Sequence, residues 1–193
     1  MAALLFTLLA AYLIGAIPTA YLIGRIGGVD IRRVGDHNVG AGNVLHNLGA
    51  GAFLLTFSVD AAKGATAIAI ARLAGLGEVE QFLTGFTAVL GHLWPITLHF
   101  HGGRGAATSI GIPIMWFPLE SLVLAPIALS STLLTRNTVL GTALFFAPLP
   151  FLAISNGRPE SLVVFAFLLP LISALKHTLD SLRGRAIEGD LQT

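Results

Sequence analysis

The chain has 193 residues, of which 54% are hydrophobic and only 11% charged, with a mean hydropathy of +0.82. A water-soluble domain carries roughly a quarter of its residues as charges, so too few are present to cover a water-facing surface, and lipid is the expected solvent. The formal net charge of +1 argues neither for nor against nucleic acid, while the lack of cysteine excludes disulfides, thiol nucleophiles and cysteine metal sites.

From the N-terminus, the first apolar run covers residues 2–23. It has no basic leading region, it is long, and further spans follow it, so it is expected to be a retained first helix and not a signal peptide. Further full-length apolar segments cover residues 51–73, 82–100, 138–154 and 162–175, where crossing the hydrocarbon core takes about 20 residues. Two shorter segments, 106–117 and 121–134, are separated by Pro118 and Glu120. They fit two short helices inside the bundle or one re-entrant pair, giving seven helices or five plus a hairpin. Either count is odd and puts the termini on opposite faces. Arg25, Arg32 and Arg33 lie in the first loop, Arg104 in the third, Arg136 in the fifth, and Lys176, Arg183 and Arg185 in the tail. The intervening loops hold Glu78 and Glu80, then Glu120, then Arg158 with Glu160. Under the positive-inside rule this alternation favours seven helices, with the N-terminus outside and the C-terminus cytoplasmic. No internal repeat or polar linker divides the chain. The expectation is one all-α integral membrane domain over residues 1–193, some of its helices short.

Three stretches interrupt the apolar pattern. Residues 24–49, GRIGGVDIRRVGDHNVGAGNVLHNLG, combine glycines with Asn38, Asn43, Asn47, His37, His46 and arginines. Such a loop either meets anionic headgroups or supplies donors to a site. Residues 91–105, GHLWPITLHFHGGRG, place Gly102, Gly103 and Gly105 around Arg104, just before another apolar segment. Glycines let backbone N–H groups converge on an anion, and a helix N-terminus behind them adds its dipole. Arg104 adds a bidentate fork for phosphate oxygens. A Gly-rich turn with an interfacial arginine is the alternative. Third, Asp60 and Lys63 lie inside the second span, at a spacing that puts them on one helix face. Ionisable groups inside a membrane helix are costly and by default point to function, although a self-paired bridge accounts for them equally well. No catalytic triad follows from spacing, and no histidine is followed four residues later by the aspartate of the H-x-x-x-x-D acyltransferases. No His/Asp/Glu set has metal-ligand spacing, so neither metal nor cofactor is expected.

Together these stretches resemble the bacterial acyl-phosphate:glycerol-3-phosphate acyltransferase family called PlsY, collinearly from Gly15 to about Arg183. GAIPTAYLIGR (15–25) and GVDIRRVGDHNVGAGNV (28–44) are similar to its first motif and lead-in. DAAKG (60–64) matches D-x-x-K-G, and GHLWPITLHFHGGRGAAT (91–108) matches G-H-x-x-P-x-x-x-x-F-x-G-G-K-G-x-A-T at all but one position. The resemblance implies a seven-helix protein of the bacterial inner (plasma) membrane with its active site open to the cytoplasm. It implies transfer of a fatty acyl group from acyl phosphate to the 1-hydroxyl of glycerol 3-phosphate, giving lysophosphatidic acid and phosphate in the first step of phospholipid synthesis. Both substrates carry phosphate, which suits cationic Gly-rich loops, and an acyl phosphate is already activated, so positioning and charge stabilisation suffice without a protein nucleophile.

By that resemblance Asn38, Asn43, Lys63, Arg104 and His177 are the expected catalytic residues. Asp36, His46, His92, Gly102, Gly103, Gly105, Asp180 and Arg183 are the expected substrate-binding set. Membrane lipid surrounds a monomer, with no nucleic-acid partner. The motifs depart from G-S-G-N-x-G-A-T-N-V-x-R at Asp36 for serine, His37 for glycine, Gly42 for threonine and His46 for arginine. Arg104 replaces the lysine of Gly-Gly-Lys, and the C-terminal K-H-x-x-N-x-x-R-L pattern is only partly present, as Lys176, His177, Asp180 and Arg183. A carboxylate at position 36 repels a bound phosphate unless it is protonated or paired. A divergent member with reduced activity or another acyl-accepting substrate is therefore an alternative. A small anion transporter is a further one, against which the lack of an internal repeat counts.

Overall fold

The computed structural model describes the backbone of residues 1–190 and the side chains of residues 1–182. Among the described residues the regular structure is entirely helical. The first apolar run forms α1 (Ala2–Gly15) and α2 (Thr19–Ile26), broken before Pro18. Proline lacks the N–H that a continuous helix needs and pushes the residue before it out of the helical region. A 3₁₀ turn at Ile31–Arg33 and the short α3 (Ala41–Leu48) build the first polar loop. They lead into α4 (Ala50–Leu73), followed by α5 (Glu78–Leu93). The apolar segment over 82–100 stops as a helix at Leu93, because Pro95 interrupts the span and His99 and Phe100 adopt left-handed backbone.

After a 3₁₀ turn at Ile96–Leu98 come α6 (Ala106–Trp116), α7 (Pro118–Thr135), α8 (Thr138–Phe146), α9 (Leu149–Ser155) and α10 (Glu160–Asp190). Among the described residues five segments are long and apolar enough to cross a membrane: 2–26, 50–73, 118–135, 138–155 and 160–182. α6 is a shorter apolar helix, and the 16-residue α5 precedes it in chain order. The second of the two segments expected to be short, 121–134, is a full 18-residue helix.

The central contact is α4 against α6, with α1 packed on α5 and α7 on α8. Small residues make the first of these possible. A Cβ on Gly64 would overlap the Thr108 carbonyl, and one on Gly111 the Ala61 carbonyl, so the two backbones touch as small-residue helix pairs do in lipid. The buried core joins Ile112, Phe117, Phe145, Leu149 and Leu169, and Phe82 stacks on Phe165 with ring centroids 4.2 Å apart. Leu5, Phe6, Leu9, Leu122, Val123 and Phe151 point outward, an apolar exterior that suits hydrocarbon.

The connections sort to two ends. At one end lie the α4–α5, α6–α7 and α9–α10 junctions. There the buried Glu120 accepts from Arg158 Nε at 2.8 Å, Arg158 Nη2 at 2.9 Å and Asn156 Nδ2 at 3.0 Å. Trp116 Nε1 and Arg72 Nε both donate to Gln81 Oε1, and the Ser161 hydroxyl donates to Glu78. At the other end the polar loops of the sequence meet.

Candidate active site

The first polar loop is organised around one buried amide. Asn43 is 2% exposed, and its Nδ2 donates to the carbonyls of Ile31 (2.9 Å), Val34 (3.0 Å) and Asn38 (3.1 Å) while its Oδ1 accepts from Asn47 at 2.8 Å. Gly35 passes over this amide at φ +60, where a Cβ would collide with Asn43 Oδ1. Asp30 fixes the start of the loop by accepting from Arg32 N–H (3.2 Å) and Nε (2.9 Å), and the Arg32 guanidinium lies 4.6 Å over the Tyr21 ring. That guanidinium holds the Asp30 carboxyl well below the usual carboxylate range.

In the second polar loop the amide nest expected at Gly102 and Gly103 is closed to an anion. Gly102 N–H donates to the Leu93 carbonyl (3.1 Å) and Gly103 N–H to that of His92 (3.2 Å). These glycines are needed for close approach instead: a Cβ on either would strike His92. The loop is held to the first span by Tyr12 Oη donating to the Trp94 carbonyl (2.8 Å) and Thr97 Oγ1 to that of Ala16 (2.5 Å).

Within the bundle, Lys63 Nζ donates to Asp60 Oδ1 and to the Ile17 carbonyl, both at 2.6 Å. The ammonium thereby reaches the backbone at the break before Pro18, where the Ile17 carbonyl also accepts from Thr19 N–H at 3.0 Å. His92 Nδ1 stands 3.7 Å from the same Asp60 oxygen. Asp60, Lys63 and His92 are all buried.

These elements converge. Arg104 Nη1 donates to Asp36 Oδ2 at 2.7 Å, and Arg104 Nε lies 3.9 Å from Asp180 Oδ2, whose partner oxygen accepts from Lys176 Nζ at 2.5 Å. Asp36 and Arg104 border a cavity of about 390 Å³. Asp36, Asn38, His46, Asp60, His92, Arg104, Gly105 and His177 line its polar part. Phe53, Phe57, Ile110, Leu129, Val139 and Phe146 line an apolar part between helices. Four atoms of the polar set, Asn38 Oδ1, Asp60 Oδ2, Arg104 Nε and His177 Nδ1, are buried with no hydrogen-bond partner among the described residues. Buried polar groups are normally satisfied, so four around one cavity mark a place for a polar ligand.

Of the residues expected from sequence, Asp36, Asn38, His46, His92, Arg104, Gly105 and His177 thus face one space, with Asp180 joined to it through Arg104. Asn43, Lys63, Gly102 and Gly103 stand behind that surface and shape it. The Arg183 side chain lies outside the described residues. Gly42 packs on Thr138, 3.0 Å from a Cβ to the hydroxyl oxygen. Asp60 was grouped in the sequence only with its lysine; its i, i+7 relation to Phe53 was the signal that it shares the cavity face. Among the described residues no group of three His, Asp or Glu is placed to hold a metal ion.

The glycerol-3-phosphate acyltransferase family profile matches residues 5–185. The chain belongs to this family. A glycerol-3-phosphate acyltransferase of Dehalococcoides mccartyi is 40% identical over 183 residues, which cover 94% of this chain and 98% of that one. One from Thermus thermophilus is 41% identical over 177 residues, covering 92% and 89%. Among solved structures, the glycerol 3-phosphate form of PlsY, an integral membrane glycerol 3-phosphate acyltransferase, superposes with a TM-score of 0.80 at 30% identity, covering 96% of this chain and 92% of that one. The lysophosphatidic acid form of PlsY gives 0.78 at 29% identity.

Proposed function

We propose that this acyltransferase moves a fatty acyl group from acyl phosphate to the 1-hydroxyl of glycerol 3-phosphate, releasing lysophosphatidic acid and inorganic phosphate. The observation that carries the reading is the two-part cavity, charged at the Arg104 end and apolar between α4, α6, α7 and α8. A phosphorylated small molecule suits the first part and an acyl chain the second. Arg104 and His177 supply donors for phosphate, with Arg104 Nε and His177 Nδ1 free to turn to it. Asn38 orients substrate, and His46 and Gly105 border the phosphate space. Asn43 acts through the loop that it holds, and Lys63 through Asp60. The acyl carbon of a mixed anhydride needs no protein nucleophile, so alignment and charge stabilisation carry the step.

Asp36 stands where its family pattern has serine, and the ion pair to Arg104 removes the objection that a free carboxylate would repel phosphate. It makes phosphate and carboxylate compete for one guanidinium, which favours a weaker hold on glycerol 3-phosphate over a changed reaction. The polar end opens to the cytoplasm in this reading. The N-terminus is outside, and the chain is a single domain working as a monomer in the bacterial inner membrane.

The test is a phosphate-release assay on purified protein with palmitoyl phosphate, glycerol 3-phosphate being first withheld and then added. Release that begins on addition, with 1-acyl product seen by mass spectrometry, is expected. Release that is indifferent to glycerol 3-phosphate overturns the reading.

A further inference from the structure

We propose that Asp60 receives the hydrogen bond of the attacking 1-hydroxyl and so orients glycerol 3-phosphate end for end; this rests on the acyltransferase reading above. Asp60 is 1% exposed and lines the cavity, yet only one of its oxygens is engaged. Oδ1 accepts from Lys63 Nζ at 2.6 Å, with His92 Nδ1 at 3.7 Å, while Oδ2 has no hydrogen-bond partner among the described residues. A buried carboxylate oxygen without a donor costs free energy, and the cavity is where a ligand can bring one.

The position of Asp60 decides which donor. On α4 it follows Phe53 and Phe57 at helical spacing, and all three line the cavity. Asp60 therefore stands at the seam between the apolar wall and the polar set. When an acyl tail lies along the phenylalanines and a phosphate lies at Arg104, the atoms that must meet are at this seam. A carboxylate there repels phosphate and accepts from a hydroxyl, so it admits glycerol 3-phosphate in one direction only. In the step itself the hydroxyl oxygen bonds to the acyl carbon as the bond from that carbon to the phosphate oxygen breaks. The hydroxyl proton ends on the departing phosphate, and Asp60 aligns the oxygen without keeping the proton.

The experiment is calorimetric titration, without acyl donor, of glycerol 3-phosphate against 2-hydroxypropyl phosphate, the same molecule lacking the 1-hydroxyl. Wild-type protein should bind glycerol 3-phosphate about tenfold tighter, the size of one hydrogen bond to a charged group. Asp60→Leu combined with Lys63→Met removes the buried pair without leaving a lone charge, and there the two ligands should bind within about twofold of each other. A purely structural Asp60 would alter both affinities together and leave their ratio alone. Equal binding by the wild type, or a retained tenfold preference in the folded double variant, overturns the assignment. Should the double variant not fold, Asp60→Ala combined with Lys63→Met takes its place and the same ratio decides. Wild-type turnover with glycerol 3-phosphate alongside an unmoved ratio leaves the acyltransferase reading standing and removes only Asp60. A wild type that neither binds nor acylates glycerol 3-phosphate removes both.

Discussion

Asp36 and Arg104, separated by 68 positions in the chain, meet at 2.7 Å across the mouth of the cavity. Their side chains are 45% and 23% exposed, so solvent screens the pair and its net strength is modest. This pair sets the direction of the guanidinium, and any phosphate that uses Arg104 has to compete with it.

Replacing Asp36 with serine should therefore lower the KM for glycerol 3-phosphate by about two- to fivefold, the range expected of a partly exposed ion pair. The advantage should shrink as salt is raised, because screening already weakens the pair in the parent protein. Initial rates at low and high ionic strength check this. An unchanged KM at low salt would mean that phosphate does not use Arg104.

Arg104→Ala should lower kcat/KM by about 100- to 1000-fold, as loss of one charge-stabilising donor does elsewhere. The thermal midpoint should stay close to that of the parent, since the side chain lies at a cavity rim. Wild-type kinetics in this variant would show that phosphate is held elsewhere.

Gly111→Ala should destabilise the fold by about 1–3 kcal/mol, because the added methyl drives into the Ala61 carbonyl with no flexible side chain to yield. Gly51→Ala on α4, with nothing within 4 Å of a built Cβ, is the matched control. It should be neutral or slightly stabilising through helix propensity. Thermal unfolding in detergent compares the two. Equal midpoints would argue against the close α4–α6 approach.

Acid should test the first polar loop. The Asp30 carboxyl, held low by Arg32, favours the folded loop fully above the ordinary aspartate value near 3.9. That contribution is lost only as pH falls through the lower folded-state value. Arg32→Gln should move the acid transition of the loop toward higher pH. Hydrogen exchange or a fluorophore near Tyr21 reports it, and an unmoved transition would show that the pair is idle.

The helical bundle was legible because apolar runs near twenty residues have few other uses. Hydropathy alone missed the breaks at Pro18 and after Leu93, since proline and left-handed residues interrupt a helix without making it polar. Arg104, His177 and the Asn38 loop could be grouped from motifs that no local pattern explains. The roles of Gly102 and Gly103 could not, because whether a glycine frees its N–H or merely admits a neighbour depends on the His92 backbone passing beside it. Likewise Asn43 looks like a ligand in sequence and acts as a spindle in space, its donors consumed by three carbonyls.

The phenylalanine-lined half of the cavity has a bearing on selectivity. A fatty tail leaving the bilayer for that groove exchanges one hydrocarbon medium for another, and lipid chains are as apolar as leucine. Such partitioning is nearly neutral, so tail length adds little to net affinity. Discrimination between rival amphiphiles then falls on the handful of heteroatoms around Arg104 and Asp60, and that is where selection for a new headgroup has purchase.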